Sequence, residues 1–178
     1  MAVETVKSLF ITNRDATPVV GTVAAIAGAN LRSSVGAAVV SASASIASYY
    51  PLVQVPSNSR VRKVELQCAA LGAGCLANIG VFAPTQTNTK LLALNAAYTS
   101  GAAINATFFA SSVDVSAALN PIDETNQSGT NTIAKQEQEL WQALGLASDP
   151  SCNFDIAVKL AGAAVAGGAI LLKVDYAQ

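Results

Sequence analysis

The residues best able to do chemistry in this chain are four carboxylates in its later part. Asp123 and Glu124 are adjacent, and Glu137 and Glu139 follow, two residues apart. Two acids that flank one bond can serve as acid and base in glycoside hydrolysis. Adjacent residues in a polar loop, or residues two apart on a helix, point in different directions. The spacing therefore favours solvated charges, and a carboxylate-dependent glycosidase stays as the enzyme alternative.

Other kinds of catalytic or metal site lack the residues that they need. The sequence contains no histidine, which removes the commonest general base and the histidine-dependent nucleophile systems. No phosphate-binding glycine motif stands between a strand and a helix. Cys68, Cys75 and Cys152 lack the spacing of a zinc site, and we expect buried reduced thiols, with a Cys68–Cys75 disulfide as the alternative. We predict a protein that is not an enzyme and has no metal and no cofactor.

Alternating apolar and polar residues predict that most of the chain is β-sheet. In the segment 60–84, one alternating run precedes Gly72 and Gly74, and a second run follows them. The segment 154–176 repeats this design around the small residues 161–168. We predict one β-hairpin in each segment, and we expect the two hairpins to form the two walls of one antiparallel core.

Local signals predict further strands. Pro51 and Pro56 bracket a short apolar run and cannot donate to a β-ladder, so this run is predicted to be an edge or bulged strand. Residues 104–115 form a strand that packs on both faces, and Asn120 with Pro121 ends it.

One helix is predicted late in the chain. Residues 133–144 are strong helix formers with apolar side chains at helical spacing, and Gly145 is placed to end the helix. Trp141 anchors this helix across the open end of the sheets. The predicted fold class is all-β: a two-sheet antiparallel sandwich or jelly roll with one short helix in a late connection and an extended N-terminal segment.

The first 48 residues have a different composition from the rest. Residues 9–11 are apolar and predict a first strand or an extended arm, whereas residues 19–48 are almost all small and carry Arg32 as their one charge. Such a segment can lie on another protein as an arm or form a pair of edge strands. We predict an arm or edge strands in 1–48 and a sandwich in 49–178, together one structural domain.

The surface is predicted to be covered in part by protein. Charged residues make up only 12% of the chain and the net charge is −1, which favours association. Basic residues are too few for a nucleic-acid groove, and no apolar run is long enough to span a membrane. We predict that a protein partner is contacted by Arg14, Arg32, Tyr49, Tyr50, Arg60, Arg62 and Lys63.

Several segments resemble a family of tailed-bacteriophage virion structural proteins. They are YYPLVQVPSNSRVRKVELQCAAL, ANIGVFAP, ATFFASSVDVSAAL, KQEQELWQALGLASDP and FDIAVKLAGAAVAGGAILLKVDY, and they extend from about residue 49 to the end. The resemblance implies a part similar to capsid cement or decoration proteins. Such a part binds the outside of the major capsid protein shell, associates with itself as a trimer or dimer, and resides on the virion after assembly in the host cytoplasm. The resemblance assigns no functional residues.

Two other non-enzymatic functions stay open at this point. The same sandwich would suit another virion position, in the tail, the neck or a receptor-binding fibre. It would also suit a carbohydrate-binding module, for which Tyr49, Tyr50 and Tyr98 are the candidate aromatic contacts.

Overall fold

The computed structural model describes residues 9–21 and 30–178. In these residues eight strands form two antiparallel sheets, and the helices are short. The strands are β1 (Leu31–Val40), β2 (Tyr49–Pro56), β3 (Arg60–Cys68), β4 (Leu76–Phe82), β5 (Ala103–Asp114), β6 (Leu119–Asp123), β7 (Asn153–Leu160) and β8 (Gly168–Ala177). The helices are α1 (Leu9–Asp15), α2 (Thr89–Leu94) and α3 (Leu140–Ala143), with a 3-10 turn at Ile133–Lys135.

The strand order is that of a jelly roll. Sheet A has the order β1-β8-β3-β6, and sheet B has the order β2-β7-β4-β5. Every connection except the one between β4 and β5 therefore crosses from one sheet to the other, which gives the eight-stranded double-sheet arrangement of jelly rolls. The predicted all-β sandwich is confirmed.

The two predicted hairpins are wrong as pairings, although all four strands exist. β3 lies in sheet A and β4 in sheet B, and β7 and β8 are divided in the same way. The actual partners are β3 with β8 and β4 with β7. Alternation fixes which face of a strand is buried, but it does not say whether the next strand lies beside it or across the core. The connections 69–75 and 161–167 cross the roughly 10 Å between packed sheets.

The core lies between the inner faces of the two sheets. Val64, Leu66 and Leu172 of sheet A are fully buried, as are Ile79 and Ile156 of sheet B. These are the alternating positions that the sequence pattern assigns to one face of each strand. The pattern therefore predicted the buried faces correctly while missing the strand pairing.

The predicted helix over 133–144 is wrong for most of its length. The chain forms only the 3-10 turn and the four-residue α3, and Ile133 is 83% exposed. At the start of α3, the backbone bonds to the turn between β2 and β3: Leu140 N–H donates to the carbonyl of Ser59 at 2.8 Å, and Trp141 N–H donates to the carbonyl of Ser57 at 3.1 Å. Tertiary hydrogen bonds thus replace helical ones despite the high helix propensity.

Several smaller predictions have clear outcomes. β2 is an edge strand with a register shift just after Pro51, as expected. Pro121 does not end the sheet but lies within β6, at the other edge of sheet A, where a residue without an N–H is tolerated. The three cysteines are reduced thiols, although Cys152 is only half-buried.

The N-terminal part is only partly described. Residues 9–15 form α1 rather than a strand or an extended arm. Residues 31–40 form the edge strand β1, whereas the parts of the predicted arm at 1–8 and 22–29 lie outside the described residues. The division of the chain at residue 48 stays a prediction. Among the described residues, no helix is long and apolar enough to cross a membrane.

Candidate assembly interface

The two ends of the sandwich differ in chemistry. Four connections meet at one end, and their residues are Ala, Gly, Ser, Val, Leu, Ile and Cys, with no charge among them. We call this surface the uncharged end; it consists of residues 41–48, 69–75, 115–118 and 161–167. The opposite end carries the longer connections 83–102 and 124–152, which hold charged residues.

Backbone hydrogen bonds join the connections of the uncharged end. Ala164 N–H donates to Ala44 at 2.9 Å, Val165 N–H donates to Leu71 at 3.0 Å, and Leu71 N–H donates to Val115 at 3.1 Å. Small residues permit this close approach: a Cβ at Gly162 would lie 2.2 Å from the Gly74 carbonyl oxygen. These hydrogen bonds therefore hold the connections of the uncharged end together as one continuous surface.

Large apolar side chains are exposed at and beside the uncharged end. Ile46 is 63% exposed, Val165 is 64% exposed, and Val39, at the end of β1, is 80% exposed. Exposed apolar groups that lie together commonly mark a protein contact. Covering this surface would bury apolar area without removing any charge from water.

The opposite end contains an open polar cleft of about 660 Å³. Of the described residues, Asp149 is the one carboxylate that lines it, and its Oδ1 accepts hydrogen bonds from Ser57 Oγ at 2.5 Å and from Ser151 N–H at 2.8 Å. The other lining residues are neutral. The cleft thus lacks the second carboxylate that glycosidase chemistry requires.

Three of the four candidate carboxylates occupy structural positions, whereas Glu137 is exposed. Asp123 Oδ1 accepts from Thr125 Oγ1 at 2.5 Å, and Glu139 accepts from Trp141 Nε1 at 2.7 Å. Glu124 is buried rather than solvated, so the prediction of solvated charges is wrong for this residue. The predicted polar loop that contains Glu124 is bound to sheet A, because the N–H of Glu124 donates to the carbonyl of Val64 in β3 at 2.8 Å. Among the described residues, no cluster of three potential metal ligands occurs.

Arg60 and Arg62, two of the predicted partner-contact residues, bind the late connection of their own chain. Arg60 is buried; its Nε donates to the carbonyl of Glu137 at 2.9 Å, and its guanidinium lies 3.5 Å from the Glu139 carboxylate. The guanidinium of Arg62 donates to the carbonyl of Gln136 at 3.1 Å. These contacts explain why a basic cluster occupies the start of β3 without requiring an external partner.

Lys63 belongs to an ion-paired ladder on the outer face of sheet A. Lys63 Nζ lies 2.8 Å from one carboxylate oxygen of Glu65, and Lys173 Nζ lies 3.1 Å from the other. Lys173 also contacts Asp175 at 3.5 Å. The hydrogen bond from Lys63 is the largest influence that lowers the pKa of Glu65. The ladder makes the middle of this face polar.

The predicted aromatic contacts do not form an exposed platform. Tyr49 packs against Phe82 with ring centroids 4.7 Å apart, and burial raises its pKa to about 12, with the charge of Asp155 adding to the rise. Tyr50 and Tyr98 are half-buried against the core.

The remaining predicted contacts are two arginines. Arg32 is exposed on β1, whereas Arg14 lies in α1 and its side chain is outside the described residues. Partner contact by any of the seven residues stays a prediction. Local sequence patterns do not mark Ile46 or Val165 as contact residues; the shared absence of charge in four separate connections is the available signal.

Two buried carboxyl groups make the stability of the fold depend on pH. Burial is the main cause that raises the pKa of Glu124, and it also raises the pKa of Asp155. Glu124 Oε2 and Asp155 Oδ1 have no hydrogen-bond partner among the described residues. A carboxyl group whose pKa rises on folding holds its proton more tightly in the folded state. Its contribution to stability therefore falls as pH rises from the unfolded to the folded pKa.

We expect Asp155→Asn to raise the melting temperature at pH 7 and to change it much less near pH 4, the ordinary pKa of an aspartate. Each kcal/mol that the substitution relieves corresponds to about 2–4 °C in a chain of this size. Glu65→Gln is the control, and it should lower the melting temperature at pH 7, because folding lowers the pKa of Glu65. Thermal unfolding monitored by circular dichroism at both pH values tests this. A lower melting temperature for Asp155→Asn at pH 7 would contradict it.

Comparison with solved structures finds the same fold in chains of two phage capsids. A chain in the structure titled "Capsid of Ralstonia phage GP4" matches with a TM-score of 0.56 and 16% identity, over 84% of each chain. A chain in the structure titled "Cyanophage Pam1 capsid asymmetric unit" matches with a TM-score of 0.52 and 15% identity, over 85% of this chain and 86% of that one. The fold is shared with chains from phage capsids. No protein-family model and no curated protein matches the sequence.

Proposed function

We propose that this protein is a non-enzymatic structural component of a tailed-phage virion. In this proposal it binds the outer surface of the major capsid shell and stabilises it, as a cement or decoration protein. The proposal rests on the uncharged end. Its four connections have no charge, are joined by backbone hydrogen bonds and expose apolar side chains. The jelly-roll fold supports the setting, because chains from two phage capsids share it.

The uncharged end suits a repeated protein contact for two physical reasons. Its Ala, Gly and Ser side chains have little conformational freedom to lose on binding, and they allow two backbones to approach closely. Ile46 and Val165 add apolar area, and a fully buried side chain of this size contributes about 1.5–3 kcal/mol. A modest energy for each copy becomes resistance to internal pressure when many copies act on one shell.

The small-residue segment 19–48, predicted above as a contact arm, contributes to the same surface. Its residues 41–48 are one of the four connections, and Val39 precedes them. Arg32 remains an exposed predicted contact on β1. We therefore place the shell contact at the uncharged end rather than at the two arginines at the start of β3.

The test is the binding of purified protein to expanded capsids that lack it. We expect saturation at a fixed ratio and a gain in the heat resistance of the particles. The double variant Ile46→Asp with Val165→Asp should bind at least about tenfold more weakly, since it would bury two charges, and tenfold corresponds to about 1.4 kcal/mol. Capsid co-sedimentation measures both quantities.

Ile133→Asp is the matched control, because it makes the same kind of change at an 83% exposed residue of the opposite end. It should bind like the unchanged protein. Equal binding by the double variant would overturn the placement of the contact. Failure of the unchanged protein to bind capsids would overturn the cement role itself. Electron microscopy of intact particles separates that role from a position in the tail, neck or fibre.

A further inference from the structure

Strand β1 has an unpaired edge. It pairs with β8 on one side, and no backbone hydrogen bond joins its other side to residues 9–21 or 30–178. The strand is ten residues long, has no proline and carries a single charge, Arg32. A long, nearly uncharged edge of this kind is a template on which a further strand can pair.

The other three edge strands each carry a feature that obstructs such pairing. β2 contains Pro51 and Pro56, and the five-residue β6 contains Pro121. The edge of β5 is occupied by a side-chain amide: Ser111 N–H donates to Gln127 Oε1 at 2.7 Å, and Gln127 Nε2 donates to the Ser111 carbonyl at 3.1 Å. In the described part of the chain, β1 is the edge strand with neither a proline nor a bound side-chain amide, and the backbone of β2 lies close to it at Gly36, where a Cβ would lie 1.9 Å from the Leu52 carbonyl oxygen.

The outer face of β1 is complementary to itself. Leu31, Val35 and Val39 are 65%, 60% and 80% exposed and are evenly spaced, four residues apart. When two β1 strands run antiparallel with Val35 on the two-fold axis, Val35 meets its own counterpart and Leu31 meets Val39. Arg32 then faces Ala38, so the two like charges stay apart. The strand therefore suits a second copy of itself in both apolar spacing and charge.

We propose that two copies of this protein pair through β1 in this register and join their A sheets into one eight-stranded sheet. The pairing does not depend on where the protein acts. If it acts on a capsid shell, the two-fold axis directs the uncharged ends of the dimer in opposite directions. One copy of the dimer would then face the shell, and the uncharged end of the other copy would face away from it.

A charge exchange at Val35 tests the pairing. Val35→Lys and Val35→Glu each place like charges opposite one another across the axis, and each variant alone should sediment as a monomer at concentrations where the unchanged protein is a dimer. An equal mixture of the two should recover the dimer. Ile133→Lys, at an exposed residue far from β1 in the sequence, should leave the dimer intact.

Cysteine cross-linking tests the register. In a Cys152→Ser background, Val35→Cys should cross-link to its own counterpart with a short thiol reagent. Ser33→Cys should not, since two copies of residue 33 would lie roughly 14 Å apart, but it should cross-link to Ala37→Cys.

A protein that stays monomeric, an oligomer that Val35→Lys leaves unchanged, or a mixture that fails to recover the dimer would each overturn the proposal. Dimerisation without capsid binding would leave the pairing standing and remove only the cement role.

Discussion

Replacing Phe109 with alanine is expected to lower the free energy of unfolding by about 3–5 kcal/mol, the range for removing a buried aromatic ring. Phe109 is fully buried and meets Phe108 edge-to-face, with centroids 4.9 Å apart and the rings at 84°. The cavity that remains would lie in the core, where surrounding side chains relax only in part. Equilibrium denaturation in urea, followed by tryptophan fluorescence and circular dichroism, measures the loss.

Phe109 also holds an irregular part of sheet B. Ile79 pairs with Ala110 and Val81 pairs with Asn105, so the β5 residues between Asn105 and Ala110 bulge opposite Gly80. The bulge presents the carbonyl of Phe109 to the N–H of Ser128 at 2.9 Å. The loop that covers the β5 edge therefore depends on the packing of this ring.

The control for Phe109→Ala is Ile133→Ala, because Ile133 is 83% exposed. A surface change of this kind is expected within about 0.5 kcal/mol of the unchanged protein. A loss below about 1 kcal/mol for Phe109→Ala would show that the bulge and the loop do not rely on the ring.

Replacing Arg60 with methionine is expected to cost about 1.5–3 kcal/mol, the range for a hydrogen bond to a charged group. Methionine keeps much of the apolar volume but removes the donors that bind the Glu137 carbonyl and the Glu139 carboxylate. Both acceptors belong to the late connection that the sequence predicts to be helical. We expect this connection to loosen from β3, and hydrogen exchange of the amides of Leu140 and Trp141 to become faster.

Arg62→Met is the matched control, because Arg62 is only half-buried and lies in the same strand. Its substitution should have the smaller effect on both stability and exchange. Should Arg60→Met leave the exchange of Leu140 and Trp141 unchanged, the connection would be held by its backbone hydrogen bonds to Ser57 and Ser59 alone.

Local sequence determined the strands and their buried faces. Alternation at Val64 and Leu66 assigned one face of β3 to the core, and both side chains are fully buried. The prolines of β2 indicated an edge strand because a residue without an N–H cannot donate the hydrogen bonds that a central strand requires. The absence of histidine limited the possible chemistry before any fold was known. These properties depend on single residues and short periods, which the sequence contains directly.

The tertiary structure alone decided which strands pair and where the chain offers a surface. Alternation is the same whether the next strand lies beside a strand or across the core, so the pairing of β3 with β8 followed only from the crossing of the connections. Residues 133–144 have a high helix propensity, but backbone hydrogen bonds to Ser57 and Ser59, which are distant in sequence, limit the helix to its last turn. The uncharged end likewise arises from four separate segments, because only the jelly-roll crossings bring them together.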